Sequence, residues 1–102
     1  MNMYEAIKGR MNYLSEPRVK SYIYQLLKAI EHMHKNAIFH RDIKPENFVI
    51  GLGKTGKNLH LIDFGLAKYY RTKSGKHIPL IDGKGLVGTA RYCSVNTHKG
   101  IE

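Results

Sequence analysis

Apolar residues recur along this chain in two different rhythms. Val19, Tyr22, Ile23, Leu26, Leu27, Ile30 and Met33 follow the three-and-four spacing of one helical face. Ser15 is placed to cap that helix, and Glu16 and Pro17 suit its first turn. Asn36, after Lys35, is placed as its left-handed stop. The pattern predicts a helix over about 16–35 whose apolar stripe faces a core. Residues 2–9 predict a shorter helix closed by Gly9. Phe48–Ile50 and Leu59–Ile62 are apolar runs of strand length, and the stretch GLGKTGKN between them reads as a hairpin turn. Beyond Asp63 the pattern breaks up, with glycines at 65, 75, 83, 85 and 88 and a proline at 79. So long an irregular segment in a compact domain is usually functional or disordered. There are no internal repeats.

A length of 102 residues with 42% apolar content fits one domain with a small core. No apolar run approaches membrane-spanning length, and the N-terminal MNMYEAIKGR carries charge where a secretory leader is apolar. The expectation is a cytoplasmic or nuclear protein with no membrane partner. Cys93 is the only cysteine, which excludes an intramolecular disulfide and a thiolate metal cluster. The net charge of +9 favours anionic ligands, phosphates among them. Its cations are spread from Lys8 to Lys99, as on a solvated basic surface, with no run like a nucleic-acid arm.

Chemistry concentrates in two places. Residues 40–47 read His-Arg-Asp-Ile-Lys-Pro-Glu-Asn, and residues 63–65 read Asp-Phe-Gly. The chain has three aspartates, and two of them, Asp42 and Asp63, fall in these motifs. Both motifs resemble those of protein kinases, and the phosphoryl transfer this resemblance implies asks for a base near the attacking hydroxyl, a cation near the moving group, and magnesium on the phosphates. Asp42, Lys44 and Asn47, on one constrained loop after a helix, could supply those parts together with Asp63. A lone loop aspartate is ordinarily a turn former or cap; eight consecutive motif residues followed by Asp-Phe-Gly are not a coincidence of turns.

These motifs resemble the catalytic loop and metal-binding sequence of eukaryotic protein kinases. The resemblance implies ATP and Mg2+ as cofactors. It implies Asp42 as acceptor of the substrate hydroxyl proton and Lys44 as the cation at the γ-phosphate. Asn47 and Asp63 would be the magnesium ligands and Val49 part of the floor under adenine. Lys44 in the loop is similar to serine/threonine rather than tyrosine kinases. Two branches contribute. Residues 2–47 resemble the male germ cell-associated and cyclin-dependent kinases. Residues 48–102, with NFVIGLGKTGK, LIDFGLAKYY, HIP, GTARY and Ser-Val-Asn-Thr-His, resemble casein kinase 1. The kinase resemblance also implies that His40 stacks with Phe64, and that Thr89 hydrogen-bonds near Asp42 and Lys44 and shapes the substrate groove. Arg91 and Lys84 would hold the anion of acidic or pre-phosphorylated protein substrates. Ser94-Val95-Asn96 stands where most kinases have Ala-Pro-Glu. Leu80, Ile81, Gly83 and Gly85 depart from the usual polar residues there, which bears on substrate preference. Arg41 could pair with a phosphate on Thr72 or Ser74, although casein kinase 1 generally needs none.

Other patterns mislead. Gly51, Gly53 and Gly56 satisfy G-x-G-x-x-G, and Gly56-Lys57 nearly completes a Walker A, but Asn58 stands where that motif needs Ser or Thr. The six histidines match no zinc spacing, Cys93 reads as a small packed residue, and the scattered tyrosines build no base-stacking platform. The expected architecture is therefore α+β: part of a protein kinase large lobe, mainly helical, with a small β-hairpin and a long activation segment. Residues 1–102 would be an incomplete kinase domain whose small lobe and C-terminal helices lie outside the sequence. That piece would be inactive and poorly folded alone, through exposed apolar surface. The competing reading is a truncated, non-catalytic interaction or regulatory module. A nucleic-acid binder comes third, and salt-sensitive polyanion binding would revive it.

Overall fold

A computed structural model describes residues 1–9, 14–52, 54 and 56–102. The fold is α+β, as expected, with helices α1 (Met3–Lys8), α2 (Glu16–Lys35) and α3 (Val95–His98). Four short strands accompany them: β1 (Ile38–Phe39), β2 (Phe48–Ile50), β3 (Leu59–Leu61) and β4 (Lys68–Tyr69). The residues divide into two units, Met1–His32 with Lys44–Asp63, and Met33–Ile43 with Phe64–Glu102.

In the first unit, α1 is started by a reciprocal capping box. The Asn2 side chain accepts from the Glu5 amide at 2.8 Å, and the Glu5 carboxylate accepts from the Asn2 amide at 3.1 Å. Gly9 closes the helix through its amide, which donates to the Glu5 carbonyl at 2.7 Å. The Ser15 carbonyl takes the first bond of α2, from the Val19 amide at 2.9 Å. β2 and β3 pair antiparallel with Val49 opposite His60, and Asn2 bridges the outer side of β2 at Val49. The hairpin reading of the connection holds: the Gly51 amide closes on the Asn58 carbonyl at 3.1 Å. Gly53 of the glycine pattern, like Thr55, lies outside the described residues. The strand ends at Leu61, one residue early, although the Ile62 amide still donates to the Asn47 carbonyl at 2.9 Å.

Ala6, Tyr22 and Ile50 form the core of this unit, with Met3, Leu14 and Leu59 packed around it. Tyr22 and Gln25, three apart on one face of α2, also grip the hairpin by polar bonds. The Tyr22 hydroxyl donates to the Gly56 carbonyl at 2.9 Å. The Gln25 amide group donates to the Lys57 carbonyl at 2.7 Å and accepts from the Leu59 amide at 2.8 Å. The expected stripe of α2 is only half used. Tyr22 and Met33 are buried, whereas Val19, Ile23 and Leu27 are 41%, 51% and 60% exposed. They lie at successive four-residue steps, on the edge of the stripe away from the core.

The second unit holds a strand pair that the apolar pattern does not show. β1 pairs antiparallel with β4, Ile38 opposite Tyr69 and Phe39 opposite Lys68. The pairing runs on through Tyr70, whose amide donates to the Ala37 carbonyl at 2.9 Å. Phe39 and Tyr70 stack with ring centroids 4.3 Å apart, and His34 and His77 meet Tyr70 at 6.2 and 5.5 Å. The left-handed stop after α2 is Ala37, with φ 62°, and not Asn36. The Ala37 amide donates to the His34 carbonyl at 3.1 Å, so the reversal comes one residue later and delivers Ile38 directly into β1.

Candidate active site

Residues 40–43 belong to the second unit and residues 44–47 to the first. His40 is buried, its ring edge-on to Phe64 with centroids 5.0 Å apart and planes at 65°. Its Nδ1 faces the Asp42 amide at 3.2 Å. Between them Arg41 takes φ 70°, a left-handed backbone that a long side chain adopts only under constraint. The constraints are visible. Arg41 Nε donates to the Leu66 carbonyl at 2.7 Å, and Nη1 pairs with the Glu102 carboxylate. Gly88, at φ 91°, lies so close that a Cβ there would sit 2.5 Å from the Arg41 carbonyl oxygen. The next residue, Thr89, donates from its hydroxyl to Asp42 Oδ1 at 2.8 Å, across 47 residues of sequence.

Thr89 leads into a 3-10 turn, Ala90–Tyr92, and the Cys93 thiol donates to the Val87 carbonyl at 3.2 Å. These segments line an open pocket of about 610 Å³ bordered by, among others, Arg41, Asp42, Lys68, Lys84, Thr89 and Glu102. Arg91, paired with Lys84 in the sequence reading, does not line it; its guanidinium lies over the Tyr92 ring at 5.9 Å. Thr72 and Ser74 bond to each other at 2.8 Å in an exposed turn.

Glu102 is the charge centre of this unit. Besides Arg41, its carboxylate meets Lys68 Nζ at 2.8 Å and Lys84 Nζ at 3.8 Å. The hydrogen bond from Lys68, with the fields of Lys68, Arg41 and Lys84, holds the Glu102 carboxyl below the usual glutamate range, against the opposing effect of desolvation. No local sequence pattern announces this cluster, because its members stand up to 61 residues apart.

In the first unit, Lys44 is extended and leads into the 3-10 turn Pro45–Asn47, with proline at the position whose N–H would go unused. Asn47 is 5% exposed and its amide bonds the Lys44 carbonyl at 3.0 Å. The Ile62 amide on the Asn47 carbonyl sets the register, so Asp63 lies one residue past the rung that holds Asn47. Asp63 is exposed and left-handed, with φ 61°. Asn47 and Asp63 thus share one end of the hairpin. Both offer oxygen donors of the hard kind that magnesium takes, Asp63 a carboxylate and Asn47 an amide carbonyl.

The described residues thus offer left-handed backbone at Arg41 and Asp63, a buried histidine against Phe64, and hard oxygens at a hairpin end. The family model described as protein kinase domain matches residues 1–97. That span is nearly the whole sequence, and the chain belongs to the protein kinase domain family, a family of transferases that generally use ATP and Mg2+ on protein substrates.

Proposed function

We propose that this chain carries serine/threonine protein kinase chemistry of the casein kinase 1 type. The hydrogen bond from Thr89 to Asp42 Oδ1 carries the reading, because it fixes a loop carboxylate against the segment that would present a substrate. Asp42 accepts the proton of a serine or threonine hydroxyl as that oxygen attacks. Lys44 balances charge at the γ-phosphate, and Val49 lies under the adenine. Asn47 and Asp63 hold magnesium, which when bound with ATP screens the phosphate charges. Lys84 and Arg91 select acidic or pre-phosphorylated substrates, guanidinium being suited to paired bonds with phosphate oxygens. The site of action is the cytoplasm or nucleus.

The test is Asp42→Asn in the kinase. A positioned general base is worth about 10²–10⁴-fold in rate, so phosphorylation of a casein-like acidic substrate should drop by that factor with the circular dichroism spectrum unchanged. Retained transfer would refute the assignment. A non-catalytic module is the second reading, favoured by the exposed Val19, Ile23 and Leu27 edge of α2. It predicts a thermal transition that magnesium-ATP does not move, whereas nucleotide binding to the native state must raise it.

A further inference from the structure

The Glu102 cluster has a geometry that the transfer reaction does not itself require. Three cations from three different segments converge on one carboxylate: Arg41 from the catalytic loop, Lys68 from β4 and Lys84 from the activation segment. His77 also lines the pocket, and its Nδ1 bonds the Ile78 carbonyl at 2.7 Å. Glu102 is held there by its own backbone. Its amide donates to the Ile81 carbonyl at 2.7 Å and its carbonyl accepts from the Ile81 amide at 2.9 Å. One step on, the Lys84 amide donates to the Gly100 carbonyl at 2.9 Å. Gly100, at φ 77°, permits that approach, since a Cβ there would stand 2.8 Å from the Lys84 carbonyl oxygen.

Arg41 is the link to the chemistry. Its backbone precedes Asp42 and is left-handed, so a free guanidinium would let this residue relax toward commoner angles and carry Asp42 with it. Its side chain is fixed at two points, Leu66 and Glu102, and only the second is a charge. Charge-assisted bonds of this kind are roughly twice as strong as neutral ones.

Resting on the kinase reading above, we propose that Glu102 is a positioning residue: an internal carboxylate that ties Arg41, Lys68 and Lys84 together and thereby sets Asp42 in its working orientation. Charge balance supports this, because three cations packed around an empty centre would repel one another, and the carboxylate supplies the counter-charge from within the chain. The lowered proton affinity of Glu102 agrees with an ionised carboxylate at neutral pH.

The test is chemical rescue in the full chain. Glu102→Ala should speed hydrogen exchange at the Arg41 Nε–H and the Asp42 amide by about tenfold or more, the factor expected for one charge-assisted bond. Sodium formate should restore protection, while sodium chloride at equal ionic strength should not, and Glu102→Asp should keep most of it. Unchanged exchange in Glu102→Ala, or loss that formate leaves unrepaired, overturns the proposal. Should the alanine variant fail to fold, the unmodified chain decides. Its Glu102 Cδ resonance should titrate below the ordinary glutamate range, and an ordinary titration overturns the proposal as well. None of these readouts involves phosphoryl transfer, so failure of the kinase reading and failure of this one are separately visible.

Discussion

The segment after Asp63 packs its backbone against the loop that carries Asp42 at Gly88, and replacing that glycine with alanine measures the contact. Two costs add. At φ 91° an L-residue pays the left-handed penalty, about 1–2 kcal/mol. The new Cβ would also stand 2.5 Å from the Arg41 carbonyl oxygen, where backbone and not a flexible side chain must yield. Overpacking of that kind costs typically 1–3 kcal/mol. Gly83 provides the internal control: its φ is 71°, yet nothing lies within 4 Å of a Cβ built there. Gly83→Ala therefore bears the conformational cost alone. The difference between the variants, about 1–3 kcal/mol, isolates the steric contact. At roughly 4–8 °C per kcal/mol for a domain of this size, Gly88→Ala should melt at least about 4 °C below Gly83→Ala. Thr89, adjacent to the displaced residue, should lose its bond to Asp42, so Thr89 amide exchange should rise in Gly88→Ala only. Equal melting temperatures, or a more stable Gly88→Ala, would refute the close packing of this segment on the loop.

Two further predictions concern the core and the pH response. Ile50, 2% exposed among Ala6 and Tyr22, should cost about 2–5 kcal/mol on truncation to alanine. Leu52→Ala, at a side chain 81% exposed, should stay within about 0.5 kcal/mol; matching shifts of the urea midpoint would contradict the placement of this core. For Glu102 the folded-state carboxyl is held below its unfolded value by Lys68, Arg41 and Lys84. Its contribution is then complete above the unfolded glutamate range and is lost as pH falls through the lowered value. Protection of the Ile81 amide should follow that acid transition, and Glu102→Gln should remove it; a pH-independent Ile81 would count against the ion cluster.

What could be read from the sequence were the features whose cause is local. α2 follows from a spacing that repeats every turn, and its bounds agree with the structure at both ends. The hairpin follows from two short apolar runs around a glycine-rich turn. The motif residues 40–47 and 63–65 are legible as a family signature because they stand in a fixed order along the chain, and the family model matches across them. The β1–β4 pair was not legible: strands of two residues cannot show an alternation, and their partners are about thirty positions apart in sequence. The apolar stripe of α2 told which face is greasy, yet not that Val19, Ile23 and Leu27 at its edge would stay exposed. Periodicity describes a helix and says nothing of how wide its neighbours are. Asn36 yielded the left-handed position to Ala37 because the reversal must also aim the next residue into β1, a tertiary requirement that residue preference does not contain.

The strongly basic composition changes meaning once the fold is known. Spread over the sequence, the 17 lysines and arginines look like a solvated surface. In the folded second unit, three of them are gathered around one carboxylate, beside the aspartate assigned as base. Such an arrangement has a consequence for how the loop can be strained. A left-handed Arg41 is unfavourable by itself, as is a backbone approach that admits only glycine at position 88. Both persist because the guanidinium is tied at one end and the Thr89 hydroxyl at the other, with Asp42 between them. The strain at residue 41 and the ion cluster are therefore two halves of one device. Removing the charge at Glu102 should relax the backbone at Arg41, and relieving the backbone should loosen the ion cluster. Coupling in both directions is what separates this arrangement from an ordinary surface salt bridge, whose loss is felt only locally and weakly.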